Sequence, residues 1–568
     1  MHLMQFYTSA CMLFAFTAAN SHNNAIIPQH VKQVKQVAII GAGAAGSSAA
    51  YHIRKFAAED GVDVNITIFE KTAHIGGRTL TVNVYDDPLN PVELGASIFI
   101  EANHILRNAT KNFNLGTQDP GSDEKGVLGI WDGDKFVYTQ DSESSNWWNL
   151  AKLFWKYGTA PYYIYRLVQN TVATFLKLYQ PPYFPFRSLS ATAFELGLVK
   201  VTGVTGQQFL AESKLDGAFA HDIVQASTRV NYASNLPFIH GLGTMVAMAP
   251  EGAMAVTGGN WQIFSNMVTD SKAYVALNST VSSISKESSS DPDSTSPKYT
   301  IKTKTTGTTS TINAEAHPVT FDDVVIAAPY QFSGISSNAD VIPHPVDEIP
   351  YVTLHVTLFA SPLRFSPEFF HLDPNATVPS SVLTTLGEND EAKSGPDAVG
   401  SAGFFSASLV KTVTSPKTGG KEYVYKIFSP DKVKPEFLSR LLGAEVPDTF
   451  TISTPSDAAA DPVSWYHPTV FHPYPQKLPR VTFQDPVLGD GLYYTSGIES
   501  FISTMETSAL MGMNVARLIV DDYLGISHNG EGEGEGEDSE RENVREHVEG
   551  KQKILENSGR PFPDVDEL

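Results

Sequence analysis

The chain has 568 residues, 42% hydrophobic and 11% aromatic, which is room for two domains with sizeable cores and too apolar for a disordered protein. Its formal charge of −22 argues against a nucleic-acid binder and against overall electrostatic attachment to anionic lipid. Cys11 is the only cysteine, so there is no disulfide framework and stability must come from packing.

The N-terminal "MQFYTSACMLFAFTAANS" is an apolar run ending in small residues near Ala19, which predicts a signal peptide over residues 1–19, although no Lys or Arg precedes it. Cleavage there would remove Cys11. Four N-x-S/T sequons, at Asn65, Asn108, Asn278 and Asn375, fit passage through the secretory pathway. Asn65 falls inside a predicted strand and is the least suited to modification. No later segment has the roughly 18 consecutive apolar residues that span a bilayer.

Val37, Ala38, Ile39 and Ile40 read as a buried parallel strand, followed by Gly41, Gly43 and Gly46 at G-x-G-x-x-G spacing and a helix over Ser47 to Phe56. In such a unit the glycines allow a tight turn, let a pyrophosphate approach the backbone, and pack the helix close to the strand. A second strand, Val62 to Phe69, ends in Glu70, where an acid can bind ribose hydroxyls. "KTAHIGGRTLT" then brings Gly76, Gly77 and Arg78, a second close approach with a guanidinium suited to diphosphate oxygens.

The pairing of "GAGAAG" with "IGGRT" resembles the FAD fingerprint of flavoprotein oxidases related to amine oxidases and phytoene desaturases. "VELGASIF", with Gly95, Ala96 and Ser97, resembles the next part of that fingerprint, at the flavin edge. The resemblance implies non-covalent FAD, since no cysteine of the mature chain could form a thioether link. It also implies an α/β fold with a Rossmann-like FAD-binding domain, discontinuous in sequence, and a second α+β substrate domain.

The expected pieces of the FAD domain are 33–100, 253–335 and 485–525, and 101–252 and 336–484 are assigned to substrate binding. Trp147 to Phe186 is dense in aromatics and is a candidate wall or mouth of an apolar cavity, although most such rings are core. An exposed part of it could instead touch a membrane. Arg229 with Asn231, and His240 less strongly, are candidates for the polar end of a zwitterionic substrate; each is more often structural.

"AYVALNSTVSSI" reads as strand, the Ser/Thr-rich run after it as a hairpin loop, and "FDDVVIAAPY" as a closing strand. The resemblance puts an adenine-contacting backbone at Val281. "GLYYTSGIESFISTMETSALMGMNVARLIVDDY" has a turn at Gly497, the acid Glu499, and a helical pattern that includes Met505 and Glu506. In the resembled flavoproteins this segment aims a helix N-terminus at the flavin, where oriented N–H groups stabilise charge gained on reduction. From Glu531 to Leu568 there are 13 acids and 5 Lys or Arg, a net of −8, which predicts a solvated acidic tail over 526–568. Its end, Val565-Asp566-Glu567-Leu568, is similar to a retrieval signal but lacks the leading Lys or His. No metal-ligand cluster, Ser-His-Asp arrangement or P-loop is apparent.

"LYYTSGIES…STMETSALMGMNVA", "RVNYASN…GLGTMVAMAPEGAMAVTGGN" and "NLAKLFWKYG" together resemble prenylcysteine oxidases, with the similarity spread from about Val37 to Leu524. Ser500 stands where that family has Cys, and Trp261 where it has a basic residue. The resemblance implies a secretory, lysosomal or vacuolar, ER-lumenal or extracellular enzyme acting on S-prenylcysteine with O2. Hydride leaves C1 of the prenyl group for the flavin and water adds. The hemithioacetal then collapses to cysteine and a prenyl aldehyde, with release of H2O2. Another FAD oxidase of the wider class, and a non-catalytic lumenal lipid-binding protein, remain open on the residues alone.

Overall fold

The computed structural model describes residues 34–119, 126–141, 146–249, 252–287, 298–305, 311–312, 320–337, 340–447 and 461–526. The predicted signal peptide and the acidic tail with its terminal Val-Asp-Glu-Leu lie outside the described residues.

Strand β1 (Lys35–Ile40) is buried along Val37–Ile40, as its unbroken apolar run requires of a central parallel strand. It is flanked by β2 (Val64–Phe69) and by Asp323–Ile326, both parallel to it, with Val37 opposite Ile66 on one side and Asp323 on the other. Tyr274–Ala276 and Leu492–Tyr494 extend the parallel set outward, and short antiparallel strands, Thr311–Ile312 and Val487–Gly489, form the two edges. Strands distant in the chain thus share one seven-stranded sheet.

Helix α1 runs from Ala44 to Asp60, longer at both ends than the expected Ser47–Phe56. Its alanines favour helix from the third glycine onward, and it stops where Gly61 adopts the left-handed conformation, φ 67°. β2 begins two residues later than expected. "AYVALNSTVSSI" is not one strand: Asn278, at φ 53°, divides Tyr274–Ala276 of the large sheet from Ser279–Glu287, which pairs antiparallel with Lys298–Thr305. The two strands of the expected hairpin are therefore present, and the residues that join them lie outside the described ones.

A second seven-stranded sheet, in the order Trp465–Phe471, Leu354–Ser361, Lys421–Ser429, Ser406–Thr414, Ser381–Thr384, Val127–Trp131 and Phe136–Asp141, is antiparallel apart from one parallel pair. A helical layer built from Asn146 to Ala247 shares a core with the closing helix Met505–Leu524. Among the described residues no helix is long and apolar enough to cross a membrane. Of the sequon asparagines, Asn65, Asn108 and Asn375 are exposed and Asn278 is half-buried; Asn65 lies within β2 as expected.

The closing helix packs directly on α1. A Cβ on Gly512 would lie 2.2 Å from the Ala45 carbonyl oxygen and 2.9 Å from the Ala49 nitrogen, while Ser48 donates a hydrogen bond to the Ala509 carbonyl at 2.6 Å. Only glycine permits this approach. Gly512→Val should therefore cost at least the roughly 1–3 kcal/mol of an overpacked core, read as a lower melting temperature; an unchanged value would refute the close packing.

Candidate active site

The turn after β1 brings two glycine loops together. Gly43 is extended at the start of α1 and bridges to Gly76, and a Cβ on Gly77, φ 59°, would come within 3.0 Å of Gly43 Cα. No side chain caps the N-terminus of α1. Its first N–H groups and their positive dipole end thus face an approach lined by glycine. Gly46 belongs to the packing: its Cβ would sit 2.0 Å from the Gly41 carbonyl oxygen.

Glu70 ends β2 buried, its carboxylate accepting from the Ala42 N–H at 2.8 Å and from the Thr72 N–H and hydroxyl at 2.8 and 2.7 Å. The backbone of Glu70 also holds Ser279, whose N–H donates to the Glu70 carbonyl, so Val281 lies buried two residues beyond that contact. The structure brings the glycine turn, the acid and the Val281 strand to one end of the sheet.

Arg78 completes this end. Its guanidinium makes a two-pronged pair with Glu499, Nη1 to Oε2 at 2.8 Å and Nη2 to Oε1 at 2.7 Å, and Nη1 also donates to the Pro473 carbonyl at 2.7 Å. Tyr351 donates its hydroxyl to Glu499 at 3.1 Å. Burial works against the Arg78 charge, but the Glu499 carboxylate outweighs it and holds the guanidinium above its ordinary pKa. Gly95 passes close by, since a Cβ there would meet the Arg78 carbonyl at 2.2 Å, and Ala96 and Ser97 follow. Ser97 accepts from Lys426 Nζ at 2.8 Å, while Ala96 offers its carbonyl to Asn260 Nδ2 at 3.0 Å.

Gly497 lies in a 3-10 turn, Ser496–Ser500, which presses so closely on Gln484 that a Cβ would be 2.3 Å from its carbonyl. The helix does not continue from this turn. It starts afresh at Met505, where Thr504 caps it and Thr507 returns the cap. Glu506, in its first turn, accepts from the Ile105 and Leu106 N–H groups at 2.9 and 3.0 Å; burial pushes its carboxyl up to about 7. Glu506 thus caps another helix, His104–Asn112.

The substrate-side candidates are differently placed. Arg229 is fully buried with its donors on Thr384, Asn235 and the carbonyls of Ala398, Val399 and Phe404, so it braces the helix Gln225–Tyr232 against the second sheet. It has nothing left to offer a substrate. Asn231 is exposed and bonds to the carbonyls of Ser227 and Ala247, which also removes it from a buried site. His240 caps the helix Gly241–Ala247: Nδ1 accepts from the Gly243 N–H at 2.9 Å, which leaves Nε2 as the donor to the Ser500 carbonyl at 3.3 Å. Burial, reinforced by Lys477, pulls its imidazole down to about 3, so it is neutral.

Three residues that sequence reasoning passed over matter more. Asn260, after the glycine pair Gly258-Gly259, takes a hydrogen bond from Val256, donates to Ala96, and gives its N–H to Glu93 at 2.6 Å. Lys426 reaches Ser97 and the Glu93 carbonyl from the middle of the second sheet, its amine lowered to about 8 by burial. Lys477 is 2% exposed and its amine has no hydrogen-bond partner. It lies 3.9 Å from the Tyr232 ring centroid and 5.1 Å from that of Tyr474, in the stretch that begins at the Arg78-bound Pro473. Burial lowers it to about 7.

The prenylcysteine lyase family model matches residues 140–530, and that of the NAD(P)-binding Rossmann-like domain residues 39–111. The chain belongs to the prenylcysteine lyase family. A farnesylcysteine lyase of Arabidopsis thaliana is 28% identical to it over 509 residues, covering 86% of this chain and 88% of the relative. Prenylcysteine oxidase 1 of Bos taurus is also 28% identical, over 515 residues, 87% and 90% of the two chains. Among solved structures, a cyclohexylamine oxidase from Brevibacterium oxydans shares the fold, with a TM-score of 0.51 at 15% identity over 87% of this chain and all of that one.

FAD is the cofactor of this prenylcysteine lyase family member. The cradle fits such a group: an uncapped helix N-terminus, two glycine loops in contact, and a paired guanidinium at their rim. Ser500 and Trp261, the two positions where the sequence resemblance implies a departure, are both accommodated locally. The Ser500 hydroxyl donates to the Gly497 carbonyl at 3.1 Å, and Trp261 begins the helix Trp261–Ser271 against the Gly76 loop.

Glu499→Gln keeps the shape but removes the charge opposite Arg78. Breaking a fully buried pair costs about 3–5 kcal/mol; with the Arg78 side chain 37% exposed, a loss of about 1–3 kcal/mol is expected, read as a lower melting temperature and FAD released on gel filtration. Full flavin retention and an unchanged melting temperature would show that the pair is incidental.

Proposed function

We propose that this chain is an FAD-dependent thioether oxidase that converts S-prenylcysteine, O2 and water to cysteine, a prenyl aldehyde and H2O2. The observation that carries the reading is a flavin-type cradle in a chain that matches the prenylcysteine lyase family model over residues 140–530. The bound flavin would take a hydride from C1 of the prenyl group and pass the electrons to O2.

The protein's own part is placement of the substrate and exclusion of bulk water, with one water admitted to C1. Phe501, Ile502 and Met505, in the segment expected at the flavin, share a buried apolar core with Phe175, Leu178 and Phe483, so the surroundings an isoprenoid would meet there are apolar. Lys477 is the cation that sequence reasoning sought in Arg229. As the amine lacking a hydrogen-bond partner, it is available to the α-carboxylate of the cysteine end. Once C1 is oxidised, water adds there and loses a proton, and the hemithioacetal C–S bond breaks to thiol and aldehyde.

The sequons and predicted leader support a secretory route, ending in the lysosome or vacuole, the ER lumen or outside the cell. The positions Gly41, Gly43, Gly46, Glu70, Gly76, Gly77, Arg78, Gly95, Ala96, Ser97, Val281, Gly497, Glu499, Met505 and Glu506 are proposed to hold FAD, directly or by shaping its cradle.

Farnesylcysteine should yield one H2O2 per farnesal, and simple amines none; the opposite selectivity would refute the reading. Lys477→Met should raise KM by about tenfold or more while changing kcat less, the effect of losing a charged hydrogen bond. With the free amine titrating at about 7, wild-type KM should rise as pH climbs above that value and deprotonates it, and the variant should lack this rise. A flat wild-type profile would remove Lys477 from substrate binding.

A further inference from the structure

Six of the 14 large apolar side chains that remain strongly exposed among the described residues lie between Leu150 and Tyr165. They are Leu150, Phe154, Trp155, Tyr162, Tyr163 and Tyr165, with Trp155 94% exposed. They fall on two consecutive helices, Asn146–Tyr157 and Ala160–Leu176, on either side of the Gly158-Thr159 corner. The opposite face of the second helix is ordinary core: Ile164, Leu167, Val168 and Phe175 are buried, and the Phe175 ring lies 6.3 Å from that of Phe501. A helix with this division buries one face and, among the described residues, leaves Tyr162 and Tyr163 of the other exposed.

The charge of this segment is the reverse of the whole chain's. No Asp or Glu occurs between Glu143 and Glu195, while Lys152, Lys156, Arg166, Lys177 and Arg187 do, in a protein of net charge −22. Lys156 is committed to Asp222 and Arg187 to Asp522. Lys152, Arg166 and Lys177 are exposed at the apolar patch or along its helix. Tryptophan and tyrosine at the rim of an apolar face, flanked by Lys and Arg and free of acids, match the water–bilayer boundary. There the rings sit at headgroup depth and the cations meet lipid phosphates and carboxylates.

We propose that the corner between these two helices docks this protein on a lipid bilayer bearing anionic headgroups. The local cationic face overrides the repulsion expected from the chain's overall charge, because at physiological salt a surface field is felt only within about 8 Å. The same helix that presents Tyr162, Tyr163 and Tyr165 to the bilayer packs its buried face on the segment beside the flavin. On that docking, a lipid-like substrate would be delivered to the side of the molecule where this helix meets that segment. This last consequence rests on the thioether-oxidase reading; the docking does not.

The test is flotation of the purified full chain with vesicles of phosphatidylcholine alone and of phosphatidylcholine with phosphatidylserine, at low and high salt. Binding should need the anionic lipid and weaken as salt rises. The triple variant Trp155→Ala, Tyr162→Ser, Tyr163→Ser should lose at least about tenfold in vesicle affinity, and Lys152→Glu with Arg166→Glu should abolish the preference for anionic lipid. Both variants should keep wild-type flavin content and melting temperature, which separates lost docking from misfolding.

Absence of binding to either vesicle, or equal binding by the triple variant, would overturn the proposal. So would self-association of the wild type in sedimentation that the triple variant abolishes, since the patch would then be an interface between two copies. Vesicle binding without turnover of prenylcysteine would sink the oxidase reading and leave the docking intact.

Discussion

The pair between Arg78 and Glu499 joins residues 421 positions apart and is the contact on which the site depends. One partner follows the second glycine loop, and the other ends the turn before the closing helix. A flavin sheet whose strands come from distant parts of the chain has no local means of bringing these segments to one place. A guanidinium with a planar fork and a carboxylate with two oxygens supply a defined distance and a defined angle, which a lysine in place of Arg78 would not. Tyr351 donates a third hydrogen bond to the buried Glu499 carboxylate, and the Pro473 carbonyl takes a further one from Arg78.

From that pair the substrate side is assembled in turn. Arg78 fixes Pro473, and a few residues on, the Lys477 carbonyl takes the His240 N–H at 2.7 Å. His240 in turn links the helix Gly241–Ala247 to Ser500, one residue past Glu499. Neutral His240 suits this post: a charged imidazole could not accept from Gly243 and would stand near the buried Lys477 amine. Among the described residues the Lys477 amine, like Arg480 Nη1 and Thr202 Oγ1 nearby, has no hydrogen-bond partner, and an unsatisfied buried amine is costly unless something else meets it.

The flavin half was legible because its signals are local. A glycine that must approach backbone, an apolar run that must be a central strand, and an acid at a strand end can each be read within about ten residues. Helix α1 outran its expected limits because alanine and glycine leave no periodic mark, and the start of the closing helix was not fixed by its pattern because Thr504 is an unremarkable residue until its cap is seen. Which of its two readings Arg229 would follow could not be told from the sequence, for a physical reason. Its partners Thr384, Ala398, Val399 and Phe404 lie about 150 or more positions away, and nothing near "RVNY" announces them. Lys477 was missed for the converse reason: its distinction is a missing partner, which no motif records. The aromatics from Trp147 to Phe186 likewise divide between core and surface only once Ile164 and Phe175 are seen on one face and Tyr162 and Tyr163 on the other.

The most direct measurement is an anaerobic titration of the purified holoprotein with farnesylcysteine, following the visible flavin band and the appearance of farnesal. Thioether oxidation at this site predicts bleaching in proportion to substrate, one farnesal per flavin, and return of the band when O2 is admitted. A flavin band that stays oxidised in excess farnesylcysteine would contradict the assignment.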